Sequence, residues 1–467
     1  MKILMVCAEF APWAKTGGLA DAVAGLSAAL AAAGHEVRVL LPRYSHLEPR
    51  GAGQTLEALG RRSTITDLEP RRRGRGTPGP RIACLDLEEL TGDAIYLNDA
   101  RDAGRFFRLA AAAAAVTADW QPDVVHCHDW HAALVPVVQR VVPKARAPSV
   151  LTLHNVGYQG VFADDVLAPY GFAALDSALP ADAHTGGAVN FLRAGVRTAD
   201  RVTTVSPTYA EEIKGPDLGM GLDDVLRERA GELVGILNGV DYGVWSPESD
   251  PFLPFHYDAA DLAPKRRIKA ALLDRLGMPL ELDAPLVGVV SRLAAQKGID
   301  LLAAALPALV ADTSAGFVVL GSGGDGVAAE LRRLAALHPE RVAFHEGYEE
   351  ELSHLIFAGS DLTVVPSRYE PCGLTQLYAL RYGTVPVVRA TGGLADTIRH
   401  FDPATGSGNG SVFRDADVGG VSWGLRTALG WYADAAAWSR VVRNGMAEDF
   451  SWPRQMPHYE ALYRSLL

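Results

Sequence analysis

The residues best placed to do chemistry lie between Leu362 and Leu377, in the stretch "LTVVPSRYEPCGLTQL". Leu362–Val365 is apolar and β-branched, the pattern of a buried parallel strand, and Pro366 ends it. Gly373 opens a helical segment that stops at Gly383. Ser367–Cys372 is therefore expected on a loop from a strand's C-terminal end to a helix N-terminus, where open α/β sheets bind ligands. Free backbone N–H groups there suit an anion or sugar hydroxyls. The loop carries one carboxylate, Glu370, beside Pro371. The bland alternative is a solvated loop acid.

Other stretches have chemical potential of their own. "KTGGLAD" (Lys15–Asp21) offers a mobile cation and two glycines, Gly17 and Gly18, that let a backbone approach a ligand. It lacks the GxxxxGK[ST] spacing, so it is not a P-loop; a tight strand–helix turn would explain it equally. "RLAAQKG" places Arg292 and Lys297 after a strand, a planar fork and a point charge that suit a diphosphate. "GSGGDG" (Gly321–Gly326) satisfies GxGxxG, with Glu346 twenty residues on, which reads as a dinucleotide fingerprint. "HCHDWH" (His126–His131) approaches a metallohydrolase cluster, but Asp129 stands in the wrong place for it, so no metal is expected. His154 and Asn155 end the next strand, and two polar strand ends together raise the case for a sugar site. "DAD" (Asp415–Asp417) is too isolated to argue for a metal–nucleotide site, and no Ser nucleophile elbow is present.

The elements that must position these residues alternate twice. In the first half strands are expected at Ile3–Cys7, Glu36–Leu41, Arg81–Leu87, Val124–Cys127, Ser149–Leu153, Arg201–Val205 and Val234–Leu237. Helices are expected at Leu19–Ala33, Arg105–Trp120, Ala132–Arg140 and Ala188–Thr198. Residues 43–80 suggest an insertion or hairpin, and 160–187 look irregular. The second half repeats the alternation from Leu286, with strands at Phe317–Leu320, Val342–His345, Leu362–Val365 and Val385–Val388, and helices running to Leu466. This gives an N-terminal doubly wound domain over 1–241, a linker over 242–264 rich in Pro, Asp and Tyr, and a second such domain over 265–449. The default binding site is the cleft between domains that face each other. Net charge is −11 over 467 residues, against nucleic acid or an anionic membrane as partner. The basic run Arg71–Arg75 reads as a solvated loop. Four cysteines without CxxC spacing and no signal-like or membrane-length apolar run suggest a cytoplasmic protein.

Taken together, "KTGGLAD", "HNVGYQG", "RLAAQKG", "PSRYEPCGLTQLYALRYG" and "TGGLADTI" resemble the bacterial glycogen/starch synthases, over nearly the whole chain to "FSWPRQMPHYEALY". The resemblance implies the GT-B fold, two Rossmann-like domains facing across a cleft, with a terminal helix over 450–467 crossing back to the first. It implies a retaining glucosyl transfer from ADP-glucose to the non-reducing 4-hydroxyl of an α-1,4-glucan such as glycogen, with no metal or other cofactor. Lys15, Arg292 and Lys297 would hold the diphosphate with help from Thr375, and Tyr348 would lie against the adenine. His154, Asn155, Asn238 and Glu370 would surround the glucose, with backbone N–H groups of Cys372, Gly373 and Leu374 on its hydroxyls and Asp129 in support. Under this reading "GSGGDG" is a backbone-approach loop.

Two alternatives stay open at this point. One is an NAD-linked sugar oxidoreductase, resting on Gly321–Gly326 and Glu346. The other is a non-catalytic glucan-binding homologue, which the presence of Glu370, Lys15 and Lys297 disfavours. The residues themselves do not choose between ADP and UDP.

Overall fold

Parallel strands buried on both faces read as unbroken apolar runs, and those runs form the strands here. The structure is a computed structural model that describes residues 1–68, 79–87, 92, 94–175 and 177–467. The run Arg71–Arg75 lies outside the described residues. The chain divides into two units, Met1–Gly239 with Trp452–Leu467, and Val240–Ser451.

The first unit holds β1 (Lys2–Val6), β2 (Glu36–Pro42), β3 (Gln54–Ala58), β4 (Arg61–Leu68), β5 (Arg81–Leu85), β6 (Val124–His128), β7 (Ser149–Leu153), β8 (Val161–Ala163), β9 (His184–Thr185), β10 (Ala188–Asn190), β11 (Arg201–Thr204) and β12 (Leu233–Gly235). Nine of them form one sheet in the order β12-β11-β7-β6-β1-β2-β5-β4-β3. Pairing is parallel from β12 to β5, with Ile3 beside Val37 on one side and Val124 on the other. The β3–β4 hairpin continues the sheet antiparallel and fills part of the stretch expected as an insertion. One face is covered by helix Ala100–Trp120 and its neighbours, the other by helix Gly18–Ala32 and the C-terminal helix Trp452–Arg464. Trp452 packs so closely that a Cβ on Gly25 would overlap its indole.

Three expectations change in this unit. Residues 160–187 contribute β8 and β9 to a small sheet in the order β8-β10-β9. The helix expected from Ala188 starts at Phe191, because β10 occupies 188–190 and the Asn190 side chain caps the helix by accepting from Arg193 N at 2.9 Å. The helix expected over 132–140 is two short ones, Asp129–Ala132 and Val135–Val141, the second with Pro136 in its first turn.

The second unit holds β13 (Leu286–Val290), β14 (Gly316–Gly321), β15 (Val342–Glu346), β16 (Leu362–Val365), β17 (Val385–Arg389) and β18 (Ser411–Phe413). They form one parallel sheet in the order β15-β14-β13-β16-β17-β18. Numbered within the unit, that is 3-2-1-4-5-6, the Rossmann order. Residues 242–264, expected as a linker, belong to this unit. Their lack of periodicity hid specific anchors. Trp245 is sandwiched between His354 and Tyr378, with ring centroids 3.8 and 4.0 Å away. Asp250 is buried and binds His354 Nδ1 at 2.7 Å and the Tyr382 hydroxyl. Among the described residues no helix is long and apolar enough to cross a membrane.

Candidate active site

In each unit the first strand has its second neighbour on one side and a later strand on the other. At that switch the loops leaving the two strands diverge and leave a crevice at their C-terminal ends. In the second unit the switch lies between β13 and β16, so the loops "SRLAAQKG" and "SRYEPCGL" are neighbours. They are tied together. Arg368 N donates to Gln296 O at 2.8 Å, and the Arg368 guanidinium forks onto Asp300 at 2.7 and 2.8 Å.

Glu370 sits at the centre of this crevice and is only 5% exposed, so it is not a solvated loop acid. Its Oε2 accepts from Lys297 Nζ at 2.6 Å and from Ser367 Oγ at 2.8 Å. Oε1 has no hydrogen-bond partner among the described residues. The carboxylate is thus fixed by one oxygen and leaves the other available. The loop beneath it rests on Gly392 and Gly393: a Cβ on either would overlap the carbonyl oxygen of Glu370 or of Cys372. Gly393 N donates to Glu370 O at 3.1 Å. Any larger residue at 392 or 393 would push the Glu370 loop out of place.

The remaining expected residues of this unit are placed as follows. Cys372 is buried, and Gly373 and Leu374 lead into the helix Thr375–Arg381. Arg292 is exposed, and its guanidinium has no partner among the described residues. Tyr348 is 62% exposed, two residues past β15. "GSGGDG" is filled by protein: a Cβ at Gly321 or Gly324 would overlap the carbonyl oxygen of Ser291 or Leu293. Glu346 is held in an exposed pair with Arg332 at 2.8 Å. Asp417 of "DAD" caps a helix by accepting from Gly420 N at 2.8 Å.

In the first unit the switch lies between β1 and β6. Here the sequence reading missed a residue. Glu9, three residues past β1, is 3% exposed and organises the whole "KTGG" loop. It accepts from Thr16 N at 2.7 Å, Thr16 Oγ1 at 2.7 Å, Gly17 N at 3.0 Å and the Tyr96 hydroxyl at 2.5 Å. The available signal was a lone acid at a strand's C-terminal end. Gly18 begins the following helix, and Lys15 pairs with Asp21 at 3.0 Å on the surface.

Asp129 follows β6 with φ of +57°, a left-handed conformation unusual for a residue with a side chain. The turn aims its carboxylate at the end of β7, where Oδ1 accepts from His154 N at 2.7 Å and Asn155 N at 3.3 Å. Burial raises its pKa to about 7 against the opposing pull of those two N–H groups. His154 and Asn155 are half-buried. Asn238 is buried, and its Oδ1 has no partner among the described residues. The "HCHDWH" histidines are committed to protein contacts rather than converging on one point. His126 bonds the Tyr463 hydroxyl at 2.7 Å and Thr152 Oγ1 at 2.6 Å, and His128 bonds His154 at 3.1 Å. Among the described residues no group of three or more His, Cys, Asp or Glu is arranged to hold a metal ion.

Comparison with known proteins identifies the family. Residues 2–228 match the family described as starch synthase catalytic domain, and residues 278–440 match glycosyl transferases group 1. The glycogen synthase of Anaeromyxobacter dehalogenans (strain 2CP-C) is 44% identical, with both chains covered completely. That of Rhodospirillum rubrum is 41% identical over all of this chain and 99% of its own. The chain belongs to the glycogen/starch synthase family. Among solved structures, the catalytic domain of starch synthase IV from Arabidopsis thaliana, bound to ADP and acarbose, superposes with a TM-score of 0.89. It is 33% identical, covering 99% of this chain and 98% of that one. A sucrose-phosphate synthase from Thermosynechococcus elongatus, 21% identical with a TM-score of 0.64 over 100% of this chain and 98% of its own, shares the fold. The family's fold is GT-B, with two Rossmann-like units, as expected from the alternation. Neither the oxidoreductase nor the non-catalytic alternative draws support from these matches.

Proposed function

We infer that this chain is a glucosyltransferase that lengthens an α-1,4-glucan such as glycogen. The donor is ADP-glucose, the acceptor is the non-reducing 4-hydroxyl, and the α configuration is retained. The observation that carries the site assignment is the buried Glu370, held by Lys297 and Ser367 through one oxygen and open at the other.

The chemistry follows from where charge develops. As the donor bond breaks, negative charge grows on the departing ADP and positive charge on the sugar. Arg292 and Lys297 stabilise the first, with the Thr375 hydroxyl and the backbone N–H groups of Cys372, Gly373 and Leu374 in support. The free oxygen of Glu370 faces the second. Lys297 holds Glu370 in place through Oε2 at 2.6 Å. Tyr348 lies against the adenine. In the first unit Lys15, Asn155, Asn238 and the "KTGG" backbone at Gly17 and Gly18 are further substrate-binding groups, with Asp129 setting the backbone of His154 and Asn155. No second carboxylate stands out in the sequence at the spacing of a retaining glycosidase pair, and among the described residues Glu370 is held by Lys297 and Ser367. The acceptor therefore attacks on the face that ADP leaves, without a covalent intermediate. The reaction runs without a metal, in the cytoplasm.

The test is direct. Purified protein is incubated with glycogen and labelled ADP-glucose or UDP-glucose, with and without EDTA, and glucan-bound label is counted. Label from ADP-glucose, unaffected by EDTA, is expected. Preference for UDP-glucose would correct the donor, and no incorporation from either would overturn the reading.

A further inference from the structure

His128 ends β6, and its ring is buried. Its Nδ1 lies 3.1 Å from Nε2 of His154, while its own Nε2 is buried with no hydrogen-bond partner among the described residues. On its other side stands His126, with ring centroids 4.2 Å apart. His126 is itself held at both nitrogens, by Tyr463 and Thr152, so the ring of His128 packs against a fixed neighbour. Burial holds His154 down to about 3 and His128 well below the ordinary imidazole range, so both are neutral at neutral pH.

A neutral imidazole has one N–H and one bare nitrogen. Two such rings sharing one contact have two possible arrangements. If His154 donated from Nε2, the proton of His128 would sit on its own Nε2, a buried N–H with no acceptor. If His128 donates from Nδ1, what remains buried is only an unused lone pair. Orphaned buried N–H groups are the rarer and costlier of the two. We propose that His128 is a positioning residue: it donates Nδ1–H to His154 Nε2, fixes the His154 proton on Nδ1, and so makes the outer edge of His154 a hydrogen-bond donor to a sugar oxygen. His154 Nδ1 has no partner among the described residues, which leaves it available for that oxygen. The inference rests on the reading that His154 faces the sugar; the tautomer itself does not.

The experiment uses full-length protein labelled with ¹⁵N-histidine. Two-bond ¹H–¹⁵N spectra at pH 7 report the tautomer, and the signals lost in His154→Asn identify His154. A protonated Nδ1 and a bare Nε2 are expected; the reverse would overturn the proposal. His128→Phe keeps a ring but removes the donor. His128→Asn returns an N–H close to the position of Nδ1. Turnover roughly tenfold lower in the Phe variant, the scale of one net hydrogen bond, with mixed His154 tautomers and recovery in the Asn variant, is expected. Equal losses in both, with His154 still protonated on Nδ1, would overturn the positioning role. If the Phe variant fails to fold, the wild-type spectrum and the Asn variant still decide. Wild-type turnover in His154→Ala would overturn the sugar-binding reading of His154 and leave the tautomer assignment intact, so the two failures are distinguishable.

Discussion

The two units build their crevices at the same topological point and by different means. In the second unit the crevice is made of cations and loop backbone. Glu370 is buried, but Lys297 is partly exposed and Arg292 is at the surface. In the first unit the crevice rests on a buried polar lattice. Glu9, Asp129, His126, His128 and His131 are all nearly closed to solvent, and Tyr96, His154 and Tyr463 reach them from other parts of the chain. The contrast fits the tasks proposed for them. A diphosphate needs cations that can reach it, and a neutral sugar needs donors and acceptors held in register. Mutations in the second unit should therefore hit turnover first, and those in the first should hit local order and pH response first.

The largest effect belongs to Glu370→Gln. The amide keeps the size and one acceptor but removes the charge proposed to face the sugar and paired with Lys297. Turnover should fall by about 10³-fold, the upper scale of losing one preorganised electrostatic group. ADP should still bind, as read by titration calorimetry. Unchanged turnover would make Glu370 a structural acid and erase the distinction drawn between the units.

The two cations come next, and they should differ. Lys297→Ala removes a proposed diphosphate contact and also strands a buried carboxylate, because Lys297 is the cation that pairs Glu370 at 2.6 Å. Arg292→Ala removes only an exposed guanidinium. Single-turnover kinetics should show losses of about 10²–10³-fold for Lys297→Ala and about 10²-fold for Arg292→Ala. Unfolding by urea should move for the first and not the second. Equal effects on both measurements would mean that the Lys297–Glu370 pair is not coupled as described.

The same contrast explains what the sequence revealed. The second unit was legible because its site is local. Arg292 and Lys297 are five residues apart, Glu370 to Leu374 form one loop that leads into the helix beginning at Thr375, and the strands on either side are unbroken apolar runs. The strand Leu362–Val365 matches its expected limits. The first unit was less legible because its site is held by long-range pairs. Glu9 meets Tyr96 across 87 positions, and His126 meets Tyr463 across 337. Neither pair leaves a spacing to read. Residues 242–264 hid for the same reason: Asp250 finds His354 and Tyr382 more than a hundred positions away. Short elements such as β9 and β18 were missed because two or three residues carry no period.

Asp129→Asn probes the buried lattice through pH. The carboxyl is raised from its ordinary 3.8 to about 7, chiefly by burial. The folded form therefore binds the proton more tightly than the unfolded form. Its contribution to stability is fully present below about pH 4 and is lost as pH rises through 7. The Asn variant keeps an acceptor for His154 N and does not titrate. Wild-type stability minus variant stability should fall by on the order of 4 kcal/mol between pH 4 and 7 and level off beyond. A rise over that range would show that the two N–H bonds to Asp129 outweigh its burial.

The smallest effect, and the sharpest on the first unit alone, is Tyr463→Phe. Its hydroxyl meets His126 Nδ1 at 2.7 Å, and its ring is fully buried in the C-terminal helix. His126 Nε2 is bonded to Thr152 Oγ1, which lies 2.5 Å from Thr203 Oγ1, so one hydroxyl anchors a chain of polar groups that crosses three strands. Phe fills nearly the same volume, so packing is kept and one buried nitrogen loses its partner. Leaving a buried polar atom unpaired costs ~1–3 kcal/mol, partly relieved here by the small space a hydroxyl vacates, so a loss near ~1 kcal/mol is expected. The loss should be local. Amide hydrogen exchange should speed up in Trp452–Arg464 and in β6, while exchange around Ser367–Leu374 stays as in the wild type. Turnover should fall less than twofold, because His126 supports His128 by packing and His128 still donates to His154. A change confined to global stability, with no selective exchange in the C-terminal helix, would mean that the helix is held by Trp452 and its apolar neighbours alone. A loss of turnover as large as that of Arg292→Ala would mean that the lattice is coupled to the chemistry more tightly than the geometry of the two units implies.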